Sequence, residues 1–225
     1  MVARSGHETF CQVPYWLLKA HFRRYFHSIS TGACYAHGAM ALRFDEVKAT
    51  QVAATILQKR GGKIHYVKLI KLLYLIDREA LLRWGVPVST DRYVSMDQGP
   101  VLSNVYKLIV EDKPKPAWSK YISQPLGDYE VELLCQCPTD RLSHAEEGLI
   151  DEIYNQYGYR NRWDLIDNVM HKLPEWTNPH GTSIPIHIRE ILEAQGEGEQ
   201  DIKAVLRELR AMNSAEEALS LTAVF

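Results

Sequence analysis

Long hydrophobic runs are missing from this chain of 225 residues. Nowhere do about 18 apolar residues follow one another, so no membrane-spanning helix is expected. Cysteine is scarce. The four thiols, Cys11, Cys34, Cys135 and Cys137, do not compose a disulfide framework, and a reduced, cytoplasmic setting is the simplest expectation. Charge of one sign is also lacking: 26 Lys and Arg face 28 Asp and Glu, a net charge of −2. That balance exerts no global pull toward nucleic acid or an anionic membrane. No P-loop, no dinucleotide-binding glycine pattern and no HExxH occur, and neither does an internal repeat or a low-complexity tract. The apolar run at Trp16, Leu17 and Leu18 is broken by Lys19, which is too short for the core of a secretory signal. What remains is an ordinary globular composition, 46% hydrophobic and 24% charged. A chain of this length buries a sizeable core without disulfides or metals.

Residues 63–106 organise the chain. They open with KIHYVKLIKLLYLIDREALLRWG and run on through DRYVSMDQGPVLSNVY. Tyr66, Leu69, Leu73, Ile76, Ala80 and Trp84 recur at helical steps, and only Lys71 is charged between Leu69 and Ile76. The pattern predicts a long central helix buried among other elements. Gly85 stops it and Pro87 prevents it resuming.

Around it, residues 1–39 are rich in histidine and base, with Glu8 as their one acid. They are expected to be an accessory or mis-started segment, with the globular domain over residues 40–194. Asp45 is the expected N-cap of a helix that Gly61 and Gly62 close. A short strand is expected at residues 92–96, a turn at Gln98, Gly99 and Pro100, and a helix capped by Ser103. Residues 120–124 and 129–136 read as two strands, the second by its alternation. Ser143 and Glu146 form a capping box for a helix to about residue 157. A further helix is expected over residues 162–173, with Trp163, Ile166, Val169 and Met170 as its apolar side. Another begins at Ser183 and Pro185. Residues 195–225 read as an acidic tail of one or two short peripheral helices. The fold class is therefore mainly α with a small antiparallel β-sheet, an α+β arrangement around one buried helix.

Few residues announce chemistry. Cys135 and Cys137 with His144 come nearest to a zinc site, but no second cysteine pair completes one, and thiols without metal are the plainer expectation. His180 sits on a polar loop without a recognisable catalytic partner. Asp77 and Arg78 interrupt the apolar helix. Lys68, Lys71 and Arg78 fall on one side of it, a basic stripe usable for phosphate or an acidic partner, or a solvated face that keeps the helix soluble. No cofactor and no catalytic residue is implied.

The central stretch resembles the Panacea domain, the SocA-like antitoxin family also labelled phage-associated protein. The features that carry the resemblance are Lys68, Leu72 and Tyr74 in the KLIKLLY helix, the pair Trp84 and Gly85, the turn Gly99, Pro100 and Val101, and Tyr106 on the next helix. Residues 44–111 carry it most clearly. The resemblance implies a non-enzymatic antitoxin that binds a cognate toxin protein, usually encoded beside it. It also implies, in some members, an adaptor that hands the toxin to a ClpXP-type protease. Five aromatic residues in or beside loops are the partner-binding candidates: Trp118, Tyr121, Tyr157, Tyr159 and Trp176. The alternative is a DNA-binding regulator that uses the helix pair split by Gly61 and Gly62 as a helix-turn-helix. The apolar second helix and the slightly negative charge argue against nucleic acid as a partner.

Overall fold

The computed structural model describes residues 42–222, apart from Asp112, Pro114 and Leu126. The expected accessory segment, residues 1–39, lies outside the described residues, as do Cys11 and Cys34.

Helix α1 (Glu46–Lys59) starts where Asp45 accepts a hydrogen bond from the Lys48 amide at 2.9 Å. Gly61 and Gly62, at φ 87° and 91°, turn the chain into strand β1 (Lys63–His65). Helix α2 (Tyr66–Trp84) follows, capped by the His65 ring, whose Nδ1 accepts from the Val67 amide at 3.2 Å. It ends at Gly85, which takes φ 71° and returns its N–H to the Leu81 carbonyl. Strands β2 (Tyr93–Ser95) and β3 (Val101–Leu102) flank the Gly99 turn and lead into α3 (Ser103–Val110). A single turn, α4 (Trp118–Tyr121), precedes strand β4 (Glu130–Glu132). Helix α5 (His144–Tyr157) carries the Ser143–Glu146 capping box. Helix α6 (Arg162–Asn168), a 3-10 turn at Met170–Lys172, strand β5 (Ile184–Ile186), α7 (Ile188–Ala194) and α8 (Glu199–Thr222) complete the order.

The protein is mainly α with two small antiparallel sheets. One joins β1 to β4, with Ile64 opposite Val131. The other has the order β3-β2-β5, with Val94 between Val101 and Pro185. Helix α2 is the core. It buries Leu69, Leu73, Tyr74, Ile76 and Ala80 and packs against α5 and α1, whose own buried residues include Ile150 and Ile153, and Ile56 and Leu57. No helix among the described residues is long and apolar enough to cross a membrane.

Several local expectations need correcting. The central helix begins at Tyr66, because residues 63–65 pair with β4. Residues 118–121 form a helical turn at the start of the strand expected over 120–124; beyond it Ile122 bridges to Leu133, the Ser123 amide donates to the Glu132 carbonyl at 2.9 Å and the Leu134 amide donates to the Tyr121 carbonyl at 2.8 Å. Pro185 lies in strand β5, not at a helix start. The helix expected over 162–173 breaks at Val169 (φ −122°, ψ −62°). Ser103 makes no side-chain cap; Asp91 caps α3 instead. Trp84 faces solvent at 42% exposure, off the buried face. The C-terminal segment is one helix of 24 residues, with Ile202 and Leu209 buried.

Candidate functional site

Lys68, Lys71 and Arg78 are all buried, so the expected basic stripe does not face solvent. A buried charge without partners is costly, and each of the three finds acceptors on a distant segment. Lys68 Nζ donates to the Gly158 carbonyl at 2.6 Å and the Arg160 carbonyl at 2.7 Å. Lys71 Nζ donates to the Gly99 and Pro100 carbonyls, both at 2.9 Å. Arg78 Nε donates to Glu175 Oε1 at 2.7 Å, and Tyr74 Oη donates to the same oxygen at 2.8 Å. Burial lowers the Lys71 ammonium to about 7. Its two carbonyl contacts oppose that shift by favouring the charged form. Burial, aided by the Arg60 guanidinium, also lowers Lys68.

Two carboxylates complete this interior. Asp77 accepts from the Ser89 amide at 2.9 Å and from the Ser89 hydroxyl, and burial raises it to about 7. Asp91 accepts from the Asn104 and Val105 amides, at 2.9 Å each, at the start of α3; burial raises it to about 6. Thus α2 ties down the segment after Gly85, the Gly99 turn, the α5–α6 turn and the strand-free loop at Glu175. Asp91 and Glu175 are the members of this buried network that sequence reasoning passed over. The signal for Glu175 is Arg78 itself: a guanidinium inside an apolar helix needs an acid from elsewhere.

Apart from Trp84, which faces solvent, the motif residues fall into the same scheme. Leu72 and Tyr106 are buried, and Val101 pairs with Val94. Gly99 takes φ 94°, and a Cβ there would lie 2.6 Å from Met170 Cβ, so only glycine fits.

The aromatic partner candidates separate. Trp118 is wholly buried, with its amide held by Glu46 at 3.1 Å, so it is not available as a surface anchor. Trp176 is half-buried, stacked on His171 at 4.2 Å and donating its indole N–H to the Met96 carbonyl at 3.0 Å. Tyr121 is half-buried under Lys120. Tyr157 and Tyr159 both lie at the α5–α6 turn, the first half-buried and the second 72% exposed. The turn also brings out Trp163, which its helical spacing had placed in the core; it is 46% exposed, with the Arg162 guanidinium 4.9 Å from its ring.

Cys135 is exposed, with its thiol against the Lys120 carbonyl, and burial raises the Cys137 thiol to about 11. The His144 ring lies in solvent beside Glu147, and among the described residues no three metal-ligating side chains gather. His180 is exposed on its loop.

Residues 69–177 match the family model described as antitoxin SocA-like, Panacea domain. No curated protein matches the chain, and neither does a solved structure.

Proposed function

From the Panacea match over residues 69–177, we propose that this protein is a cytoplasmic antitoxin that neutralises a cognate toxin protein by direct contact, without catalysis of its own. The match is the observation that carries the reading. The geometry agrees with it. The motif residues of α2 and the Gly99 turn are spent on joining segments to one another, and they leave exposed aromatics at the α5–α6 turn for a partner. Occlusion of the toxin is the mechanism proposed; delivery to a ClpXP-type protease is the second mode that the family admits.

Coexpression with the adjacent gene is the test. The expected outcome is relief of the growth arrest which that gene causes on its own. With both proteins soluble, persistence of the arrest removes the proposal. Relief that persists in a strain lacking ClpXP assigns the effect to occlusion; relief lost there assigns it to proteolysis.

The DNA-binding alternative depends on cations of α2 reaching phosphate. Those cations are buried, so α2 does not serve as a recognition helix. A gel shift with the gene's own promoter is expected to show no complex at about 150 mM salt, where weak non-specific binding fades.

A further inference from the structure

Several separate contacts fix the turn between α5 and α6. Lys68 holds the carbonyls of Gly158 and Arg160 from beneath. The Arg160 amide returns to the Tyr157 carbonyl at 3.0 Å, and Asn161 caps α6 through the Trp163 amide at 2.9 Å. Gly158 lies so close to Tyr154 that a Cβ would meet its carbonyl oxygen at 2.5 Å. The Tyr159 ring meets Tyr154 edge-on at 5.5 Å, and its remainder stands in solvent. A turn held this firmly presents its aromatics in a fixed arrangement, which lowers the ordering cost of binding. Exposed aromatics on such a base are what contact surfaces carry.

Three guanidiniums stand around the turn, those of Arg60, Arg160 and Arg162. Arg60 is exposed and acts on Lys68. Arg162 lies over Trp163 and acts on His65, adding to the burial that holds that ring at about 4 against the smaller opposite pull of Glu130 and Asp128. Arg160 covers the Tyr157 ring at 5.7 Å and shares its charge with Asp164 at 3.1 Å. Away from the corner the charges along α5 are paired, Asp151 with Lys59 at 2.6 Å and Glu152 with Arg83 at 2.6 Å. The positive charge offered to a partner is therefore chiefly that of Arg60 and Arg162, one corner wide. A short acidic segment fits it, whereas an extended phosphate backbone would run from it onto charges of α5 that are already paired.

We infer that Tyr159, Trp163, Arg60, Arg160 and Arg162 form the docking surface for a short segment of the toxin that carries carboxylates and apolar side chains. This assignment rests on the antitoxin reading for the identity of the partner, and on the geometry alone for its chemistry.

The first test uses the full-length protein at about 150 mM salt, where exposed charges beyond about 8 Å are screened. The probes are a short peptide of glutamate and leucine, its lysine and leucine counterpart, and a single-stranded oligodeoxynucleotide. The acidic peptide is expected to bind best. R60E/R162E and Y159A/W163A should each weaken it by about tenfold or more, with thermal midpoints unchanged. Should R60E/R162E unfold, R60Q/R162Q carries the same test. Equal affinity in these variants, or equal or tighter binding of the basic peptide or the oligonucleotide, overturns the inference. The second test repeats coexpression with the toxic neighbouring gene. Rescue by the parent and not by R60E/R162E supports the surface. Undiminished rescue by both double variants overturns the surface and leaves the antitoxin reading standing. No rescue by the parent, with the peptide preference as expected, removes the antitoxin reading and leaves the acidic specificity in place.

Discussion

Glu175 is the residue on which the buried charges beside α2 depend. Its side chain is fully buried and receives both Arg78 and Tyr74. Removing one partner of a buried pair costs roughly 3–5 kcal/mol, since the other charge is left uncompensated. Glu175→Ala is expected to lose that much in urea titration. Glu175→Gln keeps an acceptor and should lose less. Equal stability of the alanine variant and the parent would show that Arg78 finds another partner. Asp77 makes a different prediction, in pH. Burial raises it from 3.8 to about 7. Between those values the folded chain keeps a proton that the unfolded chain has released. Its contribution to stability is thus complete below about pH 4 and is lost as pH rises to about 7. Asparagine has no proton to release. The stability of Asp77→Asn relative to the parent should therefore shift in favour of the variant by roughly 2–4 kcal/mol between those pH values. Groups common to both proteins, such as His65 and Asp91, largely cancel in the difference. A flat difference would place the Asp77 carboxylate in a better-solvated setting than its burial implies.

Among the elements, the two kinds of glycine turn differ in a measurable way. At Gly99 both the backbone, at φ 94°, and the space, with Met170 Cβ 2.6 Å from an added Cβ, exclude a side chain. At Gly61 the backbone is equally left-handed, φ 87°, but nothing lies within 4 Å. Gly61→Ala should cost about 1–2 kcal/mol from conformation alone. Gly99→Ala should cost about 2–5 kcal/mol, because overpacking adds to the strain and shifts the carbonyl that Lys71 holds. Equal losses at the two sites would show that Met170 moves aside freely. The ends of the long helices are legible in the sequence for local reasons: Asp45, the Ser143–Glu146 box and Gly85 act on their own neighbours. Strands β1 and β5 are not legible. Each has three residues, too few to show alternation, and each exists only because a partner arrives from far along the chain. Residues 118–121 mislead in the opposite sense. Glu46, 72 positions earlier, accepts from the Trp118 amide and sets a helical turn there.

At the scale of the molecule, the same distinction governs the site. The motif around α2 is visible in sequence, but the purpose of its lysines is not. Their acceptors are backbone carbonyls of Gly99, Pro100, Gly158 and Arg160, which no residue type advertises. Tyr159 is legible as a surface aromatic because Gly158 and Asn161 mark a turn around it. Trp163 is not, because its spacing with Ile166 and Met170 imitates a core face. Helix α8 raises a related question, since an acidic, polar sequence there covers buried apolar residues. Ile202 and Leu209 are almost wholly buried, Val205 approaches Gly85, and Arg189 of α7 holds Glu199 at 2.7 Å. Full burial of an isoleucine or leucine contributes about 1.5–3 kcal/mol each. Ending the chain after Gly196 is therefore expected to lower unfolding free energy by about 3–6 kcal/mol and to expose Ile191 and Leu192 of α7 to solvent. Ile202→Ser with Leu209→Ser, in the full chain, should reproduce most of the loss. If the truncated protein unfolds at the same urea concentration as the parent, α8 is a passenger on the domain; if the double serine variant alone matches the parent, the covering comes from the polar contacts of Arg189.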